Sequence, residues 1–116
     1  MASSNHGGGL YLAGSSTTLV DRCTFTLNNE YTSSSDGAAI YVANGTRTIQ
    51  NCLFYDNASD GTYSGTIKMV GVSTTTNVYN CTFSENTGTG ASLTDGVLNC
   101  EEGALNVKNT IVYNNS

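Results

Sequence analysis

The chain has no proline, no tryptophan, one histidine (His6) and only four basic residues: Arg22, Arg47, Lys68 and Lys108. Each shortage removes a class of function. Nucleic-acid phosphates need clustered Lys and Arg, whereas these four are scattered through a chain of net charge −5. An anionic membrane surface is disfavoured for the same reason. No Ser/His/Asp set can be assembled around His6, and without a Cys-x-x-Cys pair the four cysteines lack metal-ligand spacing. No cofactor is expected. No apolar run nears the roughly 18 residues that span a bilayer. The first residues show neither the basic n-region nor the apolar h-region of a signal peptide. Charge is sparse as well, at 11% of residues. Such a polar, weakly charged composition would fit disorder, were it not for regularly spaced Ile, Val, Phe and Cys.

That spacing is what the chain has in abundance. Ile49-Gln-Asn-Cys-Leu-Phe-Tyr-Asp-Asn57 returns as Val78-Tyr-Asn-Cys-Thr-Phe-Ser-Glu-Asn86 and precedes itself as Val20-Asp-Arg-Cys-Thr-Phe-Thr-Leu-Asn28. A weaker copy runs from Val107 to Asn115. Cys23, Cys52 and Cys81 lie 29 residues apart, with Thr110 in the next place. Phe25, Phe54, Phe83 and Val112 keep that interval, as do Asn28, Asn57, Asn86 and Asn115. A fixed period of this size is the signature of a solenoid, whose repeats bury apolar faces only against their neighbours. Four periods of 29 account for all 116 residues, so residues 1–116 read as one module with coils beginning near 8, 37, 65 and 96. Residues 1–6 are expected to be a flexible or junction segment.

A second motif precedes each copy of the first: Gly8-Gly-Leu-Tyr-Leu12, Ala38-Ala-Ile-Tyr-Val42, Gly65-Thr-Ile-Lys-Met69 and Gly96-Val-Leu-Asn-Cys100. Alternation over a few residues beside Gly is a strand signal, with Leu10/Leu12, Ile40/Val42, Ile67/Met69 and Leu98/Cys100 turned inward. In the first motif Ile49 and Cys52 are three residues apart, so both can face inward only across a bend. Asn51, Asn80 and Asn109, with Arg22 in the first coil, mark that corner, and Asn57 and its equivalents mark the next. Each coil then holds three short strands. The predicted fold is all-β, a right-handed parallel β-helix, with coils about 4.8 Å apart. The spacing between the two motifs varies from nine to eleven residues, and the remaining length variation falls in the Gly/Ser/Thr-rich segments 30–36, 59–64 and 87–95, which read as loops along one edge.

The paired motifs resemble those of polymorphic outer membrane protein repeats. The Gly-Gly-Ala-Ile type appears as Gly7-Gly-Gly-Leu10 and Gly37-Ala-Ala-Ile40, and more loosely as Ser64-Gly-Thr-Ile67 and Asp95-Gly-Val-Leu98. The Phe-x-x-Asn type appears as Phe25-Thr-Leu-Asn28, Phe54-Tyr-Asp-Asn57 and Phe83-Ser-Glu-Asn86, with Val112 replacing Phe in the last coil. The resemblance covers essentially the whole chain. It implies a right-handed β-helix of a secreted or cell-surface protein, often adhesive, although the family's membrane-anchoring barrel is not in this stretch.

The repeated residues read as scaffold. Stacked Cys23, Cys52 and Cys81 form an inner thiol column, because parallel side-chain vectors suit a disulfide poorly. Cys100 belongs to the column of Leu12, Val42 and Met69. The Asn columns satisfy turn backbone and tie coil to coil. Of the sequons at Asn44, Asn57, Asn80 and Asn114, Asn57 and Asn80 read as buried ladder positions, leaving Asn44 in its Asn-Gly turn as the candidate glycan acceptor. Asp56 and Glu85 align on adjacent coils but lack a basic partner, and Asp36, Asp60 and Asp95 lie on the loop edge, where they could hold a cation weakly. Thr17, Thr46 and Thr75 form an outer row too narrow for an ice-binding face. Tyr11 and Tyr41 stack outward and could bind a sugar or a partner.

Function is therefore expected on the surface: a non-catalytic structural or adhesive module, extracellular or on a cell surface. Its partners would be glycans, proteins of a host or neighbouring cell, or itself. From Asn115 to Leu10 of a following copy would be eleven residues, inside the ten-to-twelve range of the internal connections. Head-to-tail stacking into filaments fits that count, as does a longer β-helix cut at a coil boundary. The alternative is a carbohydrate-binding or polysaccharide-cleaving β-helix using Asp36, Asp60 and Asp95.

Overall fold

Each run of alternating apolar and polar residues forms a strand, and each strand lies parallel to its equivalent in the next coil. The computed structural model describes residues 8–30, 37–60, 65–88 and 96–116. In chain order these hold β1 (Leu10–Ala13), β2 (Thr17–Asp21), β3 (Thr24–Thr26), β4 (Asn29–Glu30), β5 (Gly37–Gln50), β6 (Leu53–Tyr55) and β7 (Ala58–Ser59). They continue with β8 (Gly65–Tyr79), β9 (Thr82–Ser84), β10 (Thr87–Gly88), β11 (Gly96–Cys100), β12 (Ala104–Lys108) and β13 (Ile111–Tyr113). Segment 1–6 with His6, and most of the three variable loops, lie outside the described residues.

Three parallel sheets result. The largest runs β1-β5-β8-β11, with β2 and β12 on its other limb; a second runs β3-β6-β9-β13, and a third β4-β7-β10. The register is that of the 29-residue period: Val20 pairs with Ile49, Ile49 with Val78 and Val78 with Val107. Phe25, Phe54, Phe83 and Val112 align in the same way. The expected parallel β-helix is present. Its segmentation differs from the three-strand expectation in two respects. The first two strands of coils two and three are continuous in β5 and β8, bent where the pairing shifts between Ala43 and Gly45. A two-residue strand also follows the Asn column in coils one to three, too short to leave an alternation signal.

The corners explain which residues the repeat keeps. Arg22, Asn51, Asn80 and Asn109 have φ of 54°, 56°, 52° and 49°. These left-handed conformations are tolerated best by Gly, Asn and Asp, so the first predicted corner is where the change of parity put it. The second is one residue earlier than expected. Leu27, Asp56, Glu85 and Asn114 turn it, with φ of 55°, 52°, 58° and 51°, which frees the following Asn to point inward. Leu27 is the misfit, a branched side chain in a left-handed conformation and 65% exposed. Leu27→Asn is expected to raise unfolding stability by roughly 0.5–1 kcal/mol, read from the denaturation midpoint; an unchanged or lower midpoint would contradict a strained corner.

The core is a set of columns along the axis. Ile40, Val42, Ile49, Cys52 and Phe54 of coil two meet Ile67, Met69, Val78, Cys81 and Phe83 of coil three, all buried. Phe25, Phe54 and Phe83 stack nearly parallel, with centroids 4.9 and 4.5 Å apart and planes within 4° and 3°. Beside them the Asn column forms a hydrogen-bonded ladder. Asn28 donates from its backbone N–H and from Nδ2 to Oδ1 of Asn57, at 3.1 and 2.9 Å. Asn57 does the same to Asn86, and Asn86 to Asn115. Nδ2 of Asn57 and of Asn86 also donates to the carbonyls of Phe25 and Phe54 in the preceding coils. A side-chain amide with two donors and an acceptor can bond above and below at once, which a hydroxyl or carboxylate cannot do equally well.

Candidate functional site

Outward residues of the first strand form one column, Tyr11, Tyr41, Lys68 and Asn99, in continuous register. The two tyrosines meet as read from the sequence, with ring centroids 5.6 Å apart and planes tilted by 41°. Tyr11 is well exposed and Tyr41 half-buried, while Lys68 and Asn99 are buried. Lys68 forms an ion pair with Glu101, just past β11. A buried ammonium needs such a partner, and neither Lys68 nor Glu101 was legible as a pair, because 33 residues separate them.

Among the described residues the acidic side chains do not converge. Asp60 is exposed beside β7, and Asp36 and Asp95 lie outside the described residues. Asp56 and Glu85 are exposed corner residues, and Glu85 accepts from Nδ2 of Asn114 at 2.7 Å. Asp21 is bound most fully, accepting from Asn51 (2.7 Å), Gln50 (3.2 Å) and Arg22 (2.9 Å). The Asn51 hydrogen bond, followed by those from Gln50 and Arg22, holds its carboxyl below the usual carboxylate range. Among the described residues, no three His, Cys, Asp or Glu side chains gather as a metal site. A cavity of about 10 Å³ lined by Thr66, Asn86, Thr87, Gly88, Val97 and Ser116 has room for one water.

Cys52 and Cys81 are buried as predicted, but Cys23 in the first coil is exposed, and so is Cys100. All four are free thiols. Cys23, Cys52 and Cys81 each donate Sγ–H to the carbonyl two residues earlier, at 3.4, 3.1 and 3.3 Å. Burial pushes the Cys52 thiol up to about 11 and raises that of Cys81. Both therefore stay protonated and unreactive near neutrality.

The sequon residues divide differently from the expectation. Asn57 is fully buried, with Nδ2 donating into the ladder, so it offers no acceptor amide. Asn80 is exposed at its corner rather than buried, because the corner turns its side chain outward. Asn44 is exposed, with φ of 67° followed by 83° at Gly45, the two left-handed residues expected of an Asn-Gly turn.

Beneath that turn lies one of the four scattered basic residues, to which the sequence pattern assigns no role. Arg47 is buried, at 1% exposure. Its Nη1 donates to the Ser16 carbonyl (2.7 Å), Ser16 Oγ (3.0 Å) and Thr18 Oγ1 (2.7 Å). Its Nη2 donates to the carbonyls of Ala13 (3.0 Å), Gly14 (2.7 Å) and Asn44 (3.0 Å). The guanidinium thus fastens the bend of coil one to that of coil two. Gly45 is required there, since a Cβ would lie 2.6 Å from the Ser16 carbonyl oxygen and 2.9 Å from Nη2 of Arg47.

Stacked parallel coils with inward Phe and Asn columns are matched over residues 2–116 by the family model described as a right-handed beta helix region. The chain belongs to the right-handed β-helix family. No curated protein and no solved structure matches it. Family membership fixes the winding sense of this β-helix, the one that parallel crossovers favour, and leaves its activity to be argued from its surface.

Proposed function

We propose that this β-helix is a non-catalytic structural or adhesive module of an extracellular or cell-surface protein, assembling head to tail into filaments. The observation that carries the reading is the use made of the repeated residues. Phe, Asn and the inner aliphatic columns serve coil-to-coil contact in the interior, and in the coil of residues 96–116 the same columns reach the surface. Val107 is 45% and Val112 54% exposed, where Val78 and Phe83 one coil earlier are at 0%. The described carboxylates with assigned partners or corner positions also serve the scaffold: Asp21, Asp56, Glu85 and Glu101 hold corners or neighbouring side chains. The resemblance of the Gly-Gly-Ala-Ile and Phe-x-x-Asn motifs to polymorphic outer membrane protein repeats supports the surface location and the adhesive role.

A second reading, binding or cleavage of carbohydrate, is favoured by the Tyr11–Tyr41 pair, since an exposed Tyr11 backed by a half-buried Tyr41 offers rigid aromatic area to a sugar ring. Incubation with acidic and neutral polysaccharides, with and without Ca²⁺, separates the two. The structural reading expects no new reducing or unsaturated ends. Product formation abolished by Asp36→Ala or Asp60→Ala would replace it with an enzyme. Binding without products, lost in Tyr11→Ala, would make glycan the adhesive partner.

A further inference from the structure

Resting on that filament reading, we infer that copies join in one fixed polarity and register: the 96–116 coil of one seats on the 8–30 coil of the next, Lys108 against Asp21 and Asn115 against Asn28. The partner is a second copy of this chain, and three features of the two coils specify it.

The Asn ladder is directional. At each internal step the earlier Asn donates from N–H and Nδ2 to Oδ1 of the later one. Among the described residues Oδ1 of Asn28 accepts no hydrogen bond and the backbone N–H of Asn115 donates none. The two coils therefore present an acceptor and a donor at the same place in the repeat. Backbone rungs end in the same complementary way. Arg22, Asn51 and Asn80 donate N–H to the carbonyls of Gln50, Tyr79 and Lys108, and Leu53, Thr82 and Ile111 donate to those of Cys23, Cys52 and Cys81. The next rungs of this pattern are Asn109 N–H to the Asp21 carbonyl and Thr24 N–H to the Thr110 carbonyl of the adjoining copy.

Side chains match as well. The inner columns would continue with Val20 over Val107 and Phe25 over Val112. Outside them runs the column Asp21, Gln50, Tyr79, Lys108, in register throughout. It is neutral in the middle and oppositely charged at its two ends. Lys108 lies exposed with Nζ 5.8 Å from the Tyr79 ring centroid, and Asp21 is held ionised by Asn51, Gln50 and Arg22. One coil step, about 4.8 Å, brings the two charges together across a head-to-tail junction. Reversed junctions would join two first coils or two last coils, and neither brings a Lys108 to Asp21. An exposed ion pair adds little strength, and its part here is to reject wrong polarity. A slip of one residue is rejected by the core columns, which would turn outward.

Thiol cross-linking reads this junction directly. Cys100→Ser leaves Cys23 as the exposed thiol, since Cys52 and Cys81 are buried. A second protein, Cys23→Ser with Cys100→Ser and Thr110→Cys, exposes a thiol only at the other face. Thr110 holds the place that Cys fills in the other coils, so this protein should fold, and circular dichroism checks that it does. With a short bifunctional thiol reagent, covalent dimers are expected when the two proteins are mixed and in neither alone. Adding Lys108→Glu to the second protein should lower the dimer yield several-fold, and Asp21→Lys on the first should restore it. Dimers from either protein alone, or none from the mixture at concentrations where electron microscopy shows filaments, would overturn the register while leaving the structural reading standing. Monodisperse single particles under all conditions would overturn both the junction and the filament. Polysaccharide cleavage would refute the non-catalytic role independently of the cross-links.

Discussion

Arg47→Ala should lower the unfolding free energy by about 3–5 kcal/mol, a size normally associated with breaking a buried ion pair. No carboxylate is involved in this case. The guanidinium charge is spread over four carbonyls and two hydroxyls, and removing it leaves buried acceptors at the bends of the first two coils without donors. Arg47→Lys should recover less than half of the loss. An ammonium has three donors at one point and cannot span the six acceptors that a planar fork reaches. Equilibrium denaturation of the two variants checks this, and a Lys variant equal to the parent would mean that charge alone, not fork geometry, matters at the bend. Amide exchange should show the damage concentrated in β1 and β2, because Ala13, Gly14, Ser16 and Thr18 are the partners released.

Phe54→Ala should cost a similar amount, about 3–5 kcal/mol, by a different route. Phe54 is fully buried and stacks on a ring in each direction, so truncation opens a cavity in mid-column and separates Phe25 from Phe83. Relaxation is limited, because the coil spacing is set by backbone rungs on either side. Val112→Ala, in the same column but half exposed, is the internal control and should cost far less. Equal effects at the two positions would contradict a column whose burial is graded along the axis.

The columns were legible because each repeats a residue type: Cys, Phe and Asn at a constant interval have no reading other than a stack. The corner at Asn51 was legible from parity alone. What recurs without a recurring side chain was not. Leu27, Asp56, Glu85 and Asn114 share only a left-handed backbone, and the Asn that follows them drew attention to itself instead. Arg47 sits in an inner column of Thr18, Thr76 and Leu105, where no type repeats and a charged residue reads as solvent-facing. Lys68 was hidden in the same way, following two tyrosines in an outward column that becomes covered. On the candidate surface, the Tyr11–Tyr41 contact followed from register. The Lys68–Glu101 pair depended on where the chain goes after β11, which composition does not encode.

The graded burial along each column also governs how the fold comes apart. Coils touch only their neighbours, so stability is close to a sum of coil and interface contributions. The cheapest opening is then the fraying of an end coil, where Val107 and Val112 already meet solvent, and amide protection should be greatest in β5, β6, β8 and β9. In the proposed head-to-tail stack, every copy added would turn two fraying coils into interior ones. Resistance to heat and protease should therefore climb with the number of joined copies and level off once the ends are a small fraction of the whole.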